Sequence, residues 1–139
     1  MRQRIIGQVD GFDLSTGLAQ IEVFTALEAI TEGDAVYVNS SGRVGRARAD
    51  ASSTMHAIGV AAESIASLGA GRVVTHGPKR TDNYDASGRL GLFAWVSPTT
   101  AGGVTGVPPT SSGQIRQQVG VWRERRLLYV SLGGASQVG

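Results

Sequence analysis

The chain has 139 residues, of which 41% are hydrophobic and 17% charged, and its formal net charge is +2 at pH 7. This length suits one globular domain with one hydrophobic core, and the composition excludes a disordered chain, which would combine low hydrophobicity with a high net charge. The lack of cysteine excludes disulfides and thiolate metal sites, and no apolar run approaches the ~20 residues that cross a bilayer.

The first residues lie outside the part of the chain with a clear strand pattern. Residues 1–6 alternate arginine with apolar side chains, which is not the layout of a signal peptide. We therefore expect the protein to stay soluble where it is made. We also expect residues 1–16 to form an N-terminal arm that lies along a partner, with Arg2, Arg4, Ile5 and Ile6 in contact.

Short apolar runs bounded by turn residues recur along the rest of the chain, at the spacing of an antiparallel sandwich or barrel. The predicted strands cover residues 21–25, 35–38, 43–46, 56–62, 72–75, 91–96, 103–106, 115–122 and 126–132. Residues 78–88 and 106–113 are predicted to be polar loops, with a turn at Gly77-Pro78. Helix is limited to one or two turns, since residues 25–31 and 47–53 are too short for a stable helix.

These elements predict an all-β fold: a single-domain antiparallel β-sandwich or jelly roll, with a small β-barrel as the alternative. We expect the domain to span residues 17–134, followed by a flexible C-terminal tail at residues 135–139.

An imperfect internal repeat runs through the predicted strands, in the order strand, glycine turn, short strand, loop and glycine-centred strand. The first copy is Val36-Tyr37-Val38, Gly42-Arg43-Val44 and Ile58-Gly59-Val60, and the second is Ala94-Trp95-Val96, Gly103-Val104 and Val119-Gly120-Val121. The two halves are either related β units or a chance reuse of valine and glycine, and the pattern leaves both open.

Several predicted strands carry apolar side chains on both faces, whereas in a lone two-layer sandwich one face of each strand should be polar and exposed to solvent. The second apolar face belongs either to the core or to a subunit or partner interface. A basic cluster near the chain's end fits a solvated hairpin tip or an acidic protein surface better than nucleic acid. The candidate interface residues are Arg2, Arg4, Ile5, Ile6, Tyr37, Trp95, Trp122, Arg123, Arg125, Arg126 and Tyr129.

The residue patterns of common catalytic and metal sites are missing from the sequence. His56 and His76 are the two histidines, and neither stands in a metal-binding spacing. No serine lies in a Gly-x-Ser-x-Gly elbow, and Gly69-Ala70-Gly71 lacks the third glycine of a dinucleotide fingerprint. We expect no enzymatic activity, no cofactor and no metal.

Some of these segments resemble the capsid decoration, or cement, proteins of tailed bacteriophages; they are residues 30–38, 42–44, 58–61, Pro98 with 102–104, 119–121 and the closing strand 127–132. The resemblance covers roughly residues 30–132, most of the chain. It implies a virion protein, made in the cytoplasm of a host bacterium, that lies on the outer surface of the capsid and stabilises contacts between major capsid protein subunits.

The same resemblance implies that the protein also binds itself, as a homodimer or homotrimer. From the short apolar runs and the interrupted basic cluster we expect it to bind neither membrane nor nucleic acid. The alternative is a phage fibre or receptor-binding β module, because related β modules occur in phage fibres.

Overall fold

A computed structural model describes residues 19–139, and it confirms an all-β, antiparallel, single-domain fold with one short turn of 3-10 helix at Ser52–Thr54. Ten strands follow one another in the described part of the chain. They are β1 (Gln20–Thr25), β2 (Ala35–Val38), β3 (Val44–Arg46), β4 (Ala57–Ala61), β5 (Ala70–Arg80), β6 (Phe93–Val96), β7 (Val104–Thr105), β8 (Ile115–Glu124), β9 (Leu127–Val130) and β10 (Ala135–Gln137). All belong to one curled sheet with the order β3-β2-β4-β5-β9-β8-β6-β7, in which β1 also pairs with β5 and β10 with β8.

Strand β5 is longer than the sequence predicts, and the turn expected at Gly77-Pro78 is wrong. Gly77 lies inside the strand with a φ of +109°, a conformation that side-chain-bearing residues rarely adopt. The strand bends there, so that residues 70–76 pair with β1 and β4 while residues 77–80 pair with β9. The predicted polar loop therefore begins after Arg80, and β5 joins two halves of the sheet.

The two halves have the same strand plan, which we describe as two units. The first unit contains β1 to β4 and residues 70–76, in the spatial order β3-β2-β4-β5-β1. The second contains residues 77–80 and β6 to β9, in the matching order β7-β6-β8-β9-β5. A register shift follows Val36 in the first unit and Ala94 in the second, and these are equivalent positions. The imperfect repeat in the sequence is therefore a repeat of structure.

Two glycines show how closely the units match. Gly59 in β4 pairs with Val36, and Gly120 in β8 pairs with Ala94. A Cβ at Gly59 would lie 2.2 Å from the carbonyl oxygen of Val74, and one at Gly120 would lie 2.0 Å from that of Tyr129. At each of these positions the backbone of the neighbouring strand lies closer than any side chain allows, which explains the glycine at the centre of each repeated strand.

The larger part of the core lies between the two units. It joins Ala35, Val60 and Val74 of the first unit with inward-facing residues of the second, among them Trp122 and Leu128. The side chain of Gln117 in β8 also bridges the units, because it accepts a hydrogen bond from the Ala57 N–H at 2.8 Å and donates one to the Ala57 carbonyl at 3.0 Å. A smaller cluster lies on the reverse side of the first unit, where segments 26–30 and 63–68 cover it; its members are Ala26, Ile30, Val36, Val44, Ala61, Ile65 and Val73.

The C-terminal residues differ from the predicted flexible tail. Ala135–Gln137 form β10, which pairs with the start of β8, and Val138 donates a hydrogen bond to the carbonyl of Gln114. The preceding Gly133 donates a hydrogen bond to the Gln118 carbonyl at 2.9 Å, so the chain remains alongside β8 after β9 ends. This segment is an edge strand of the sheet.

Candidate protein-docking face

A row of side chains crosses four strands on the outer side of the second unit. Phe93 in β6 lies opposite Val121 in β8, Val121 lies opposite Tyr129 in β9, and Tyr129 lies opposite Pro78 in β5. Directly opposed residues of neighbouring strands point to the same side of a sheet, so the four side chains form one continuous surface. Trp95 and Arg123 extend it by two residues along β6 and β8, and we call these six residues the docking face.

Aromatic contacts arrange one end of the docking face. Phe93 is 50% exposed, and its ring meets that of Trp95 edge to face, with 6.1 Å between centroids. This geometry suits the quadrupoles of the two rings and holds them in place before any partner binds. A large, already ordered aromatic pair is the kind of anchor on which protein interfaces depend.

Away from the Phe93–Trp95 pair, a stacked arginine holds an aromatic ring of the docking face in place. The guanidinium of Arg123 stacks over the ring of Tyr129 at 4.3 Å, and His76 contacts the same ring edge to face at 5.5 Å. Such a stacked cation is worth about 0.5–1 kcal/mol at an exposed site. Within residues 19–139, Arg123 has no carboxylate partner, so its charge is directed outward and available to an acidic group.

The equivalent row of side chains in the first unit is mostly buried, because it packs against the second unit. That row is Ala35, Val60, Val74 and Ile21, and the first three are 0%, 0% and 2% exposed because they pack against the reverse side of the second unit. Counting two faces for each unit, three of the four sheet faces in the described chain are covered. The docking face is the fourth. On it Phe93 and Arg123 are exposed and the other four residues, all apolar or aromatic, are partly exposed.

Three of the predicted interface residues lie together on this face: Trp95, Arg123 and Tyr129. Sequence reasoning missed Phe93, Val121 and Pro78. Phe93 stands two residues before Trp95, so strand alternation was a sufficient signal for it. The register between β8, β9 and β5 that brings in the other two residues is a long-range property without a local signal.

Trp122 and Tyr37 are not on the docking face. Trp122 is 3% exposed and packs edge to face against Tyr84, with 5.3 Å between ring centroids, so its assignment to a surface interface is wrong. The bulge after Ala94 and the alternation of β8 turn Val121 outward and Trp122 inward. Tyr37 is half-buried beside the core, and its ring lies over Gly45.

Arg125 and Arg126 hold the loop that follows β5. Arg125 Nε donates to Asp85 Oδ1 at 3.2 Å, and Arg126 Nη1 donates to the carbonyls of Asp82 at 2.6 Å and Tyr84 at 2.9 Å. Hydrogen bonds from the hydroxyl and the N–H of Ser87, followed by the bond from Arg125, lower the pKa of Asp85 to about 2. Both arginines are therefore engaged within the fold, although they were predicted to contact a partner. Arg2, Arg4, Ile5 and Ile6 lie outside the described residues.

The two units carry opposite charge. Residues 19–76 contain four basic and six acidic side chains, whereas residues 77–139 contain seven basic and three acidic ones. The docking face therefore belongs to the basic part of the chain. A partner surface that is acidic around an apolar centre would complement it.

Within residues 19–139, no three acidic or histidine side chains are placed to hold a metal ion, and none of the helical structure is long and apolar enough to cross a membrane. Comparison with protein-family models, curated proteins and solved structures finds no match for this chain.

Proposed function

We propose that this protein is a capsid decoration protein of a tailed bacteriophage, which binds the outer surface of the head and stabilises contacts between major capsid protein subunits. The observation that carries the proposal is the docking face: an ordered, largely apolar sheet surface whose equivalent in the first unit is covered at Ala35, Val60 and Val74, although Ile21 at its end is 43% exposed. A surface of this kind acts by binding another surface, and it offers no reactive group. The capsid as its partner follows from the resemblance in the repeated segments.

Binding to a capsid makes only modest demands on the affinity of the docking face. A capsid presents the same surface many times, so a modest affinity for each copy suffices to cover the shell, and self-association into a dimer or trimer strengthens attachment through multivalency. A protein that binds the intact shell and not the separated subunits stabilises the shell by mass action.

The direct test is binding to purified heads that lack the protein. We expect Phe93→Asp to abolish binding, because it replaces an exposed aromatic anchor of the docking face with a charge that the contact would have to desolvate. The matched control is Leu68→Asp, which introduces the same charge at another exposed apolar residue, 65% exposed and located in the first unit. Both variants should melt close to the parent protein.

Equal loss of binding in both variants, or full binding by Phe93→Asp, would contradict the docking face. The abundance of the protein on purified particles separates the proposed function from a fibre module. A decoration protein should be present in proportion to the capsid subunits, whereas a fibre protein should be present in far fewer copies.

A further inference from the structure

Strand β1 forms an open edge of the first unit in the described part of the chain. Its six residues pair with β5 on one side, and with no other strand among residues 19–139. Val23 in the middle of the strand is 68% exposed and Ile21 is 43% exposed, so the second unit does not cover this edge. An exposed edge strand with apolar side chains is a template for pairing with another strand.

The pairing of β1 with β5 determines which of its backbone groups point outward. In β5, the carbonyl of Arg72 accepts a hydrogen bond from the Ala62 N–H at 2.8 Å, on the side away from β1. Val23 lies opposite Arg72, so it directs its own N–H and carbonyl to the open edge. The pattern alternates along an antiparallel strand, so Ile21 and Thr25 do the same. No residue of the described chain bonds to the outward groups of these three residues.

The equivalent edge of the second unit is protected against such pairing. Residues 77–80 take the place of β1 there, with Pro78 equivalent to Ile21 and Arg80 equivalent to Val23. Proline has no N–H to offer where Ile21 directs one outward, and a charged residue on an edge strand opposes association. The two units share one strand plan, so the apolar edge of β1, with its full set of donors, is a property of this strand and not a consequence of the fold.

We propose that the open edge of β1 pairs with β1 of a second copy of this chain, antiparallel and about a two-fold axis at Val23, so that two first units form one continuous sheet. Val23 then lies opposite the partner's Val23, and each outward-facing residue exchanges both of its backbone hydrogen bonds with the partner strand. Ile21 lies opposite the partner's Thr25 on one face, and Glu22 lies opposite the partner's Phe24 on the other. No two carboxylates lie directly opposite each other, so the strand is complementary to itself.

The two-fold axis determines the size and the shape of the assembly. Both copies use the same edge, so association stops at a dimer, and the short contact should be weak, with a Kd on the order of 0.1 mM. Strands paired in this way turn the same face of each sheet to one side, and the second unit of each copy packs on that face. Both docking faces are therefore directed to the same side of the dimer and remain free. Dimerisation does not depend on the proposed function; where that function holds, each dimer contacts the capsid at two places.

The test is sedimentation of the whole protein over a concentration series that extends to about tenfold above the expected Kd. We expect the average mass of the parent protein to rise from that of a monomer to that of a dimer and no further. Val23→Lys and Val23→Glu should each weaken dimerisation about tenfold or more, because each places like charges opposite each other at the axis. An equimolar mixture of the two variants should dimerise at least as tightly as the parent, because each lysine then lies opposite a glutamate.

The matched control is Val107→Lys, which introduces the same charge at an apolar residue of the second unit that is 50% exposed, and it should dimerise as the parent does. Phe93→Asp should also dimerise normally, so a failure of the docking face and a failure of the dimer are distinguishable. A parent protein that stays monomeric, whether its edge is open or taken by residues 1–18, would overturn the proposal. Assembly beyond a dimer, Val23 variants that dimerise as tightly as the parent, or a mixture no tighter than either variant alone would do the same.

Discussion

Alanine at Gly120 should destabilise the protein severely, and alanine at Gly59 should do the same to a similar extent. A Cβ at Gly120 would lie 2.0 Å from the carbonyl oxygen of Tyr129, whereas ordinary contact begins near 3.4 Å. The neighbouring strand must therefore move away by about 1.4 Å at this point. The obstacle is backbone, so no change of side-chain rotamer relieves it.

The magnitude follows from what that movement breaks. Next to Gly120, Ser131 donates a hydrogen bond to the Val119 carbonyl at 2.8 Å, and a displacement of this size would disrupt it and the adjoining pair with Val130. Overpacking costs about 1–3 kcal/mol, and each lost hydrogen bond adds about 1 kcal/mol. We expect a loss of about 3–4 kcal/mol, which for a chain of this length lowers Tm by about 10 °C.

Thermal and urea unfolding of Gly120→Ala, Gly59→Ala and Gly134→Ala measure the effect. Gly134 is the control, because a Cβ there meets nothing within 4 Å and its φ is not positive. Its replacement should be neutral or stabilising by up to about 1 kcal/mol. A Gly120 variant that melts within a degree or two of the parent would refute the reasoning about close strand approach. A large difference between Gly120 and Gly59 would refute the structural equivalence of the units.

Three further predictions concern the arm, the loop and self-association. Removing residues 1–6 should weaken attachment to heads without lowering Tm, and undiminished decoration by the truncated protein would contradict the arm. Asp85 should titrate near pH 2 by carboxyl NMR; Ser87→Ala should raise its pKa more than Arg125→Gln does, since the hydroxyl is the larger cause. Because the folded pKa lies below the unfolded value near 4, the stability this carboxylate contributes is complete above about pH 4 and is lost as the pH falls towards 2. Sedimentation of the isolated protein should show self-association, and a monodisperse monomer at high concentration would contradict that expectation.

Local patterns predicted most of the strands because each strand is short, alternates and ends at a glycine or polar turn. β2 was predicted with its observed bounds, and β8 and β9 within a few residues. β5 was the main error, since Gly77-Pro78 has the composition of a turn. Its role as a bend inside a strand depends on β9 pairing beyond it, and β9 lies about fifty residues further along the chain.

The docking face was only partly predictable for a related reason. Alternation told which residues of one strand share a side, but it could not tell which side faces the core. The sequence thus placed Trp95, Tyr129 and Trp122 together as candidates, and the structure separates Trp122 from the other two. Orientation was decided by the way one unit stacks on the other, which no single strand encodes.

The stacking also explains why the docking face is where it is. The first unit places its row of side chains against the reverse side of the second, so the units stack in one direction and not face to face. Such a stack always leaves the last unit with an uncovered row. The side chains at the two rows differ accordingly: Ala35 and Val74 are small and fit beneath a sheet, while their equivalents Phe93 and Tyr129 are large aromatics. Small residues at those positions would leave a flat sheet surface that could bind many different apolar surfaces. The ordered rings and the stacked arginine instead give the exposed row a shape and a charge that a particular partner can recognise.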